Sequence, residues 1–305
     1  MFLDIFQKLA DKYNKPKLFN SATNFLPILS PSSQSCYSLI DNTQLGACLR
    51  QQWFDKNNYL KTNTFIAPHV KMSAYIGDKW EEWLLNDLKE LGIFADSQIP
   101  VTVPKYFVKG FIDGAIYNPL DSNKVELLEI KTYDGGNFFN SKNIYGTKSD
   151  RPTPKITHLL QAFKYLIILK DKVEAINLLY VDRSCSGWYK NKQFRITLLE
   201  FENDFYPQIE FLWEGCLTSY VDRSISEKAI KDTDRKLLDY IINGQIPNKD
   251  FKPIYTEEEV ELNFSKGLIY KTNYDKYKKD PSSVRLGDYQ CNLCPFSNGT
   301  CEKYG

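Results

Sequence analysis

Two acidic residues and one lysine near the middle of the chain have the types and the spacing that a divalent-cation site requires. Asp113 lies in the apolar run 107–116, and Glu129 and Lys131 lie in the apolar run 125–132. Both runs predict β-strands, and the segment 118–123 between them is rich in turn-forming residues. Residues two apart in a strand share a face, so a hairpin brings Asp113 near Glu129 and Lys131. Two carboxylates and one ammonium group are the smallest set of side chains that metal-dependent phosphodiester cleavage requires.

The pattern Glu-x-Lys is weak when it stands alone. Pairs of this kind occur by chance in most chains, and the ordinary explanation is a solvated strand face with Asp113 as an acid beside a turn. The interpretation as a site therefore depends on the elements that surround the pattern.

The hydrophobic periodicity predicts an α/β core built in the order helix, three strands, helix, strand. Apolar residues at helical spacing predict a helix from Tyr75 to Leu91, with Gly92 after its end. Another helix is expected at 156–169, and one or two more at 203–243. The predicted strands are 97–103, 107–117, 124–132, 175–181 and 193–199.

Composition indicates a cytoplasmic globular protein. The 305 residues carry a net charge of +1, which excludes a general electrostatic attraction to nucleic acid and leaves DNA binding to a local basic surface. We find neither a membrane-spanning apolar stretch nor a signal-peptide pattern, so no membrane association is expected. An odd count of 7 cysteines favours metal binding over disulfides.

Taken in order, the motifs resemble the PD-(D/E)XK nuclease superfamily. Gly110 and Asp113 lie on one strand, Glu129-Ile-Lys131 on the next, and Gln161-x-x-x-Tyr165 on the following helix. The last motif resembles that of the RecB-like exonuclease branch. The segment Gly77-Asp-Lys-Trp-Glu81 also matches, although that branch commonly has a metal-binding histidine where this chain has Glu81.

The resemblance implies a restriction-endonuclease-like core, in which a mixed central sheet is flanked by helices, with helical additions. It also implies that Mg²⁺ or Mn²⁺ is bound by Glu81, Asp113, Glu129 and the main-chain carbonyl of Ile130. Lys131 would orient the attacking water and steady the phosphate. Gln161 and Tyr165, one helical turn apart, would hydrogen-bond the DNA backbone or brace the site.

A second group of residues with metal-binding chemistry closes the chain. Cys291, Cys294 and Cys301 cannot complete a four-ligand shell alone, and Cys48 is the best candidate for the fourth ligand, with Cys36 as the alternative. The residues themselves leave iron, zinc and free thiols open. The layout resembles that of the iron–sulfur RecB-like nucleases, namely the AddB nuclease domain and the CRISPR-associated Cas-four group, and this resemblance implies a 4Fe–4S cluster that staples the C-terminus. A zinc site is the next alternative.

We therefore expect one nuclease domain over residues 1–305. Its parts would be an N-terminal segment (1–60) with the first cluster cysteine, a catalytic core (74–200), a helical region (201–285) and a C-terminal cluster segment (286–305). The family implies trimming of single-stranded DNA ends in recombination, repair, replication or CRISPR spacer acquisition, with a helicase or integrase as partner protein. A DNA-end-binding adaptor with little turnover and a site-specific endonuclease are the alternatives.

Aromatic and basic side chains are candidates for DNA contact. Phe138, Phe139 and Lys142 lie in the loop after the Glu129–Lys131 strand, and Arg50 follows Cys48. Exposed rings beside cations suit stacking along a single strand. A solvated connector is an equally good explanation of the loop at 135–154.

Overall fold

The structure is a computed structural model that describes residues 48–61, 68–103, 108–118, 121–133, 144, 151–182, 192–288, 291, 294–297 and 299–304. The chain divides into two compact units. Unit 1 comprises residues 1–31 and 74–223, and unit 2 comprises residues 32–73 and 224–305. None of the described helices is both long and apolar enough to cross a membrane.

Within its described residues, unit 1 is built on a seven-stranded sheet in the order β1 to β7. The strands are β1 (Phe94–Val103), β2 (Val108–Asn118), β3 (Asp121–Tyr133), β4 (Ala175–Asp182), β5 (Lys192–Phe201), β6 (Asp204–Trp213) and β7 (Cys216–Val221). Neighbouring strands are antiparallel except for β3 and β4, which are parallel. A parallel pair requires a crossover, and the helix at 156–169 provides it. The expected mixed α/β architecture is thus confirmed.

One face of the sheet packs against the helix α2 (Pro68–Glu90). Leu85 of this helix forms a buried cluster with Leu128, Ile130 and Val181. Even-numbered residues of β3 therefore point toward α2, as the strand alternation requires.

Two glycines allow the close approach of α2 to the sheet. A Cβ atom at Gly77 would lie 3.1 Å from the hydroxyl oxygen of Thr132. One at Gly114 would lie 3.1 Å from a methyl group of Leu85. Both distances are shorter than ordinary van der Waals contacts, so a larger residue at either position would push the helix away from the sheet. The two glycines thus set the distance between the sheet and α2, the helix that carries Glu81.

The opposite face of the sheet packs against α3 (Ile156–Leu169), whose bounds are those that the periodicity predicts. The helix is apolar on nearly all sides, and ten of its residues are buried. A helix of this kind belongs between a sheet and further structure. Odd-numbered residues of β3, including Glu129 and Lys131, point toward it.

The expectation of helices throughout 203–243 is wrong for residues 203–221. This stretch forms β6 and β7, which extend the sheet by two antiparallel strands. The turns before and after β6 have positive φ at Glu202 and Asn203 (50° and 60°) and at Glu214 and Gly215 (50° and 80°). Two consecutive residues with positive φ make the tight turn that a twisted hairpin prefers, and this turn chemistry outweighed the weak helical periodicity. The helix α4 (Glu227–Ile242) follows, with Ser226 as its N-cap.

Unit 2 is helical in its described residues. It contains α1 (Leu49–Lys56), α4, α5 (Glu257–Ser265), α6 (Lys271–Lys279) and α7 (Thr300–Lys303). Residues from both ends of the chain meet in this unit. The ring of Phe54 packs against those of Phe296 and Tyr304, with centroid separations of 5.4 and 5.9 Å, and the Trp53 indole donates to the Tyr240 carbonyl.

Candidate active site and thiol cluster

Asp113 occupies the point at which β2 and β3 separate. The pairing of the two strands runs from Asn118 and Asp121 to Gly114 and Leu128. One residue further on, the Asp113 carboxylate accepts the main-chain N–H of Ile130 at 2.6 Å. The Asp113 side-chain oxygen thus accepts the hydrogen bond that a main-chain carbonyl of β2 would otherwise accept from β3. This bond holds the Asp113 carboxylate beside Glu129, the residue of β3 that precedes Ile130.

Glu129 is buried to 1% exposure, and its two oxygens differ in their surroundings. Oε1 accepts from the Lys131 ammonium and from the Gln161 side-chain amide, both at 2.6 Å. Among the described residues, Oε2 has no hydrogen-bond partner. A buried carboxylate oxygen without a partner is costly, so this atom has an unused capacity to bind a proton donor or a cation.

The acids of the site raise one another's pKa values. Burial, and then the charge of Asp113, raises the pKa of Glu129 to about 8. Burial and the same neighbour raise the pKa of Glu81 to about 7, and burial raises the pKa of Asp113. Burial alone would lower the pKa of Lys131, but the charges of Glu129 and Asp113 outweigh it and raise that pKa. These carboxyls are protonated more readily than usual, because ionising all of them beside a single ammonium is unfavourable. A bound cation would supply the positive charge that favours their ionised forms.

Glu81 is held by a residue that sequence reasoning missed. The side-chain amide of Gln98 donates to Glu81 Oε1 at 2.9 Å. Gln98 lies between the pairs Ser97–Gly114 and Ile99–Ile112, so it stands opposite Asp113, and it has a φ of 49°. A non-glycine residue in the left-handed region is strained, and such strain often accompanies functional sites. No sequence signal marks this conformation at a glutamine.

Gln161 and Tyr165 act within the protein in this structure. Gln161 donates to Glu129, and the buried Tyr165 hydroxyl donates to the Phe111 carbonyl at 2.8 Å. Burial, followed by the charge of Glu129, raises the pKa of Tyr165, so the phenol stays protonated. We expected this pair either to hydrogen-bond the DNA backbone or to brace the site. The two hydrogen bonds to Glu129 and Phe111 are contacts of the bracing kind.

The donor atoms fit a hard divalent cation in type. Glu81, Asp113 and Glu129 offer carboxylate oxygens, which Mg²⁺ and Mn²⁺ prefer, and Glu129 Oε2 is free of hydrogen bonds from the described part of the chain. No three His, Cys, Asp or Glu side chains among the described residues are gathered into a ready-made metal-binding group. The Ile130 carbonyl, expected as a fourth ligand, belongs to the same strand segment.

The four cysteines expected to bind a cluster line one small cavity in unit 2. Cys48, at the start of α1, meets Cys291, Cys294 and Cys301 there, with Phe54 among the other lining residues. Burial, and then the charges of Cys294 and Asp288, raises the pKa of Cys291 to about 12. Burial and the charge of Asp250 raise the pKa of Cys48. These thiols are therefore protonated when no metal is bound, and a metal would have to displace their protons.

Arg50 differs from the surface residue that DNA contact requires. It is 5% exposed, and its guanidinium donates to the carbonyl of Pro247 at 2.7 Å. This bond lies within unit 2, and a guanidinium that is so deeply buried does not fit a direct contact with DNA. Phe138, Phe139 and Lys142, together with Cys36, lie outside the described residues.

The polar residues around Tyr180 were also missed. His158, on α3, shares a hydrogen bond with the Tyr180 hydroxyl. The register of β3 and β4 places Tyr180 beside Lys131. The parallel pairing of these strands reveals this proximity, because the two residues are 49 positions apart in sequence.

Comparisons with known proteins do not assign a family. No family model matches the chain, and no curated protein matches it. Among solved structures, the crystal structure of SSO0001 is similar with 14% sequence identity and a TM-score of 0.35, over 97% of this chain and 95% of that one. This similarity is too low to carry an argument about fold or function.

Proposed function

We propose that this protein is a metal-dependent deoxyribonuclease that hydrolyses phosphodiester bonds at single-stranded DNA ends. The observation that carries the proposal is the buried Glu129 oxygen that has no hydrogen-bond partner among the described residues, beside two further acids whose pKa values are also raised. Mg²⁺ or Mn²⁺, when bound, would supply the missing positive charge and lower the pKa of a water molecule.

The protein's own residues divide the remaining work. Lys131 is protonated, so it serves as a charge that steadies a phosphate and orients water, and it is unsuited to act as a base. Gln161 fixes the rotamer of Glu129, and Gln98 fixes that of Glu81. A site whose carboxylates are held in this way is preorganised for its cation.

The experiment uses a labelled single-stranded oligonucleotide with Mg²⁺, Mn²⁺ or EDTA. We expect cleavage from an end with either metal, and a loss of at least about 100-fold in Asp113→Asn and Lys131→Met. Glu200→Gln, an exposed acid in the same unit, is the matched control and should retain activity. Undiminished cleavage by Asp113→Asn and Lys131→Met would refute the site assignment.

A 4Fe–4S cluster is the second part of the proposal, with zinc as the alternative. Its support is the meeting of Cys48 with three C-terminal thiols around one cavity, across more than 240 residues of sequence. Purified protein should be brown and contain iron and sulfide. Cys48→Ser should lose iron, whereas Cys216→Ser, at an exposed cysteine of unit 1, should keep it. Colourless protein with stoichiometric zinc would exclude the cluster.

A DNA-end-binding adaptor with little turnover is the second candidate function. It is favoured by one observation: among the described residues the acids do not form a ready-made metal-binding group. Tight binding of DNA ends without cleavage, over a series of divalent metals, would support this alternative.

A further inference from the structure

His158 lies on the same side of the sheet as the candidate active site. It precedes Gln161 by one turn of α3, and its ring packs against that of Tyr180 with centroids 5.6 Å apart. Tyr180 is the β4 neighbour of Lys131. Aligned residues of parallel strands point to the same face, so α3, Tyr180 and Lys131 surround one region.

The hydrogen bonds around Tyr180 favour one tautomer of His158. The Tyr180 hydroxyl accepts the main-chain N–H of Lys155 at 3.0 Å, and it lies 3.0 Å from His158 Nδ1. The hydroxyl has a single proton, and Nδ1 is the acceptor at hand for it. In a neutral imidazole the other nitrogen, Nε2, then carries the ring proton.

The imidazole is neutral over the ordinary pH range. Burial, followed by the charges of Lys131 and Lys155, lowers the pKa of His158 to about 3. The effect of Lys131 also shows that the two side chains are within electrostatic range. Besides Lys131 and Lys155, the Tyr180 phenol faces the ring, and its own pKa is raised by burial.

Nε2–H is left as a donor without a hydrogen-bond partner among the described residues, on a side chain that is half-buried. A neutral donor beside an ammonium is suited to a phosphate oxygen, which accepts hydrogen bonds from both.

We propose that His158 binds the substrate strand, by donating from Nε2 to a non-bridging phosphate oxygen of the DNA next to Lys131. This inference rests on the proposed function, because it takes the strand at Lys131 to be nucleic acid. It adds a binding residue that the motifs do not include, together with Tyr180 as the residue that positions it.

The test measures binding of a fluorescent single-stranded oligonucleotide in Ca²⁺, which is used to permit binding without turnover. His158→Ala should weaken binding about tenfold. Its dependence on salt should match that of the unmodified protein, because a neutral donor releases no counterion, whereas Lys131→Met should lower the slope by about 1. His158→Gln, which restores an N–H donor, should recover part of the affinity.

Methylphosphonate substitution separates a phosphate contact from a structural role. A series of oligonucleotides carries a single neutral linkage, at a different position in each. At one position we expect the neutral linkage to weaken binding by the unmodified protein but to cause no further loss of affinity in His158→Ala. Thermal unfolding checks that each variant folds, and Mn²⁺ affinity should not change. Equal methylphosphonate penalties in both proteins, or loss of Mn²⁺ binding in His158→Ala, would overturn the inference.

The tautomer is tested without any variant. The ¹⁵N chemical shifts of the His158 ring in the intact protein should show a protonated Nε2, and Tyr180→Phe should shift them. A protonated Nδ1 would overturn the proposal. A protein that binds the strand with this contact but does not cleave it would refute the nuclease function alone, while cleavage without the contact would refute this inference alone.

Discussion

Two buried glutamates on β3 have opposite surroundings. Glu126 and Glu129 are 4% and 1% exposed, and they lie on opposite faces of the sheet. Both oxygens of Glu126 are used: Oε1 accepts from Asn118 and twice from Arg195, and Oε2 accepts from Asn177. On Glu129, Oε1 accepts two hydrogen bonds, and Oε2 accepts none from the residues that the structure describes.

The difference teaches how a buried carboxylate can be assigned to structure or to function. Glu126 has the full set of donors that a buried charge needs, and its partners come from three other strands, so it ties the sheet together. Glu129 has an ammonium and an amide on one side and nothing from the described chain on the other. Burial alone therefore does not tell whether a carboxylate is structural or functional. The number of its oxygens that accept hydrogen bonds is the more informative quantity.

The largest expected effect is on activity. Glu129→Gln keeps the size of the side chain and removes its charge, so we expect cleavage of single-stranded DNA to fall by about 100- to 1,000-fold. Stability in EDTA should not fall, because the substitution removes an ionisable group that burial disfavours. If Glu129→Gln cleaved DNA as fast as the unmodified protein, Glu129 would have no functional role that distinguishes it from Glu126.

The second effect is on stability. Arg195→Met leaves Glu126 with two amide donors and no positive partner, and it also removes the bond from Arg195 to Glu210. We expect a loss of about 2–3 kcal/mol in the free energy of unfolding, measured by urea denaturation, less than for a fully buried pair because Arg195 is partly exposed. Per folded molecule, cleavage should be retained. Unchanged stability would show that Glu126 does not need its arginine.

The third effect is the pH dependence of stability without metal. Glu129 has a pKa of about 8 in the folded protein and about 4.5 when exposed, so the folded state holds a proton that the unfolded state releases. Stability in EDTA should therefore fall as the pH rises from 4.5 to 8. Glu81 contributes in the same direction. Glu129→Gln should flatten the curve, and added Mn²⁺ should raise stability most at the alkaline end, where the carboxylates are ionised.

Much of the fold could be predicted because the patterns are local. The bounds of α3 follow from its apolar periodicity, and β1 to β5 follow from apolar runs between turns. The strands β6 and β7 were missed because their identity depends on turns with positive φ at Glu202 and Glu214, and glutamate is not a typical residue for that conformation.

The candidate site was predictable in its charged residues and not in their supports. Asp113, Glu129 and Lys131 are placed together by one hairpin, whose geometry sequence spacing can convey. The bonds from Gln98 to Glu81 and from His158 to Tyr180 join elements whose relative placement depends on the whole sheet. No single-sequence pattern contains that information.

Unit 2 is made of two stretches that flank most of unit 1 in the chain, and this order has a consequence for biosynthesis. Cys48 is synthesised 253 residues before Cys301. At a translation rate of about 5–20 residues per second, roughly 13–50 s pass between the two. Translation of residues 74–223 is finished within that interval. All four thiols are present together only after residue 301 has been made, so a cofactor bound by all four can be completed only at the end of synthesis. A chain that stops short of residue 291 lacks three of the four thiols.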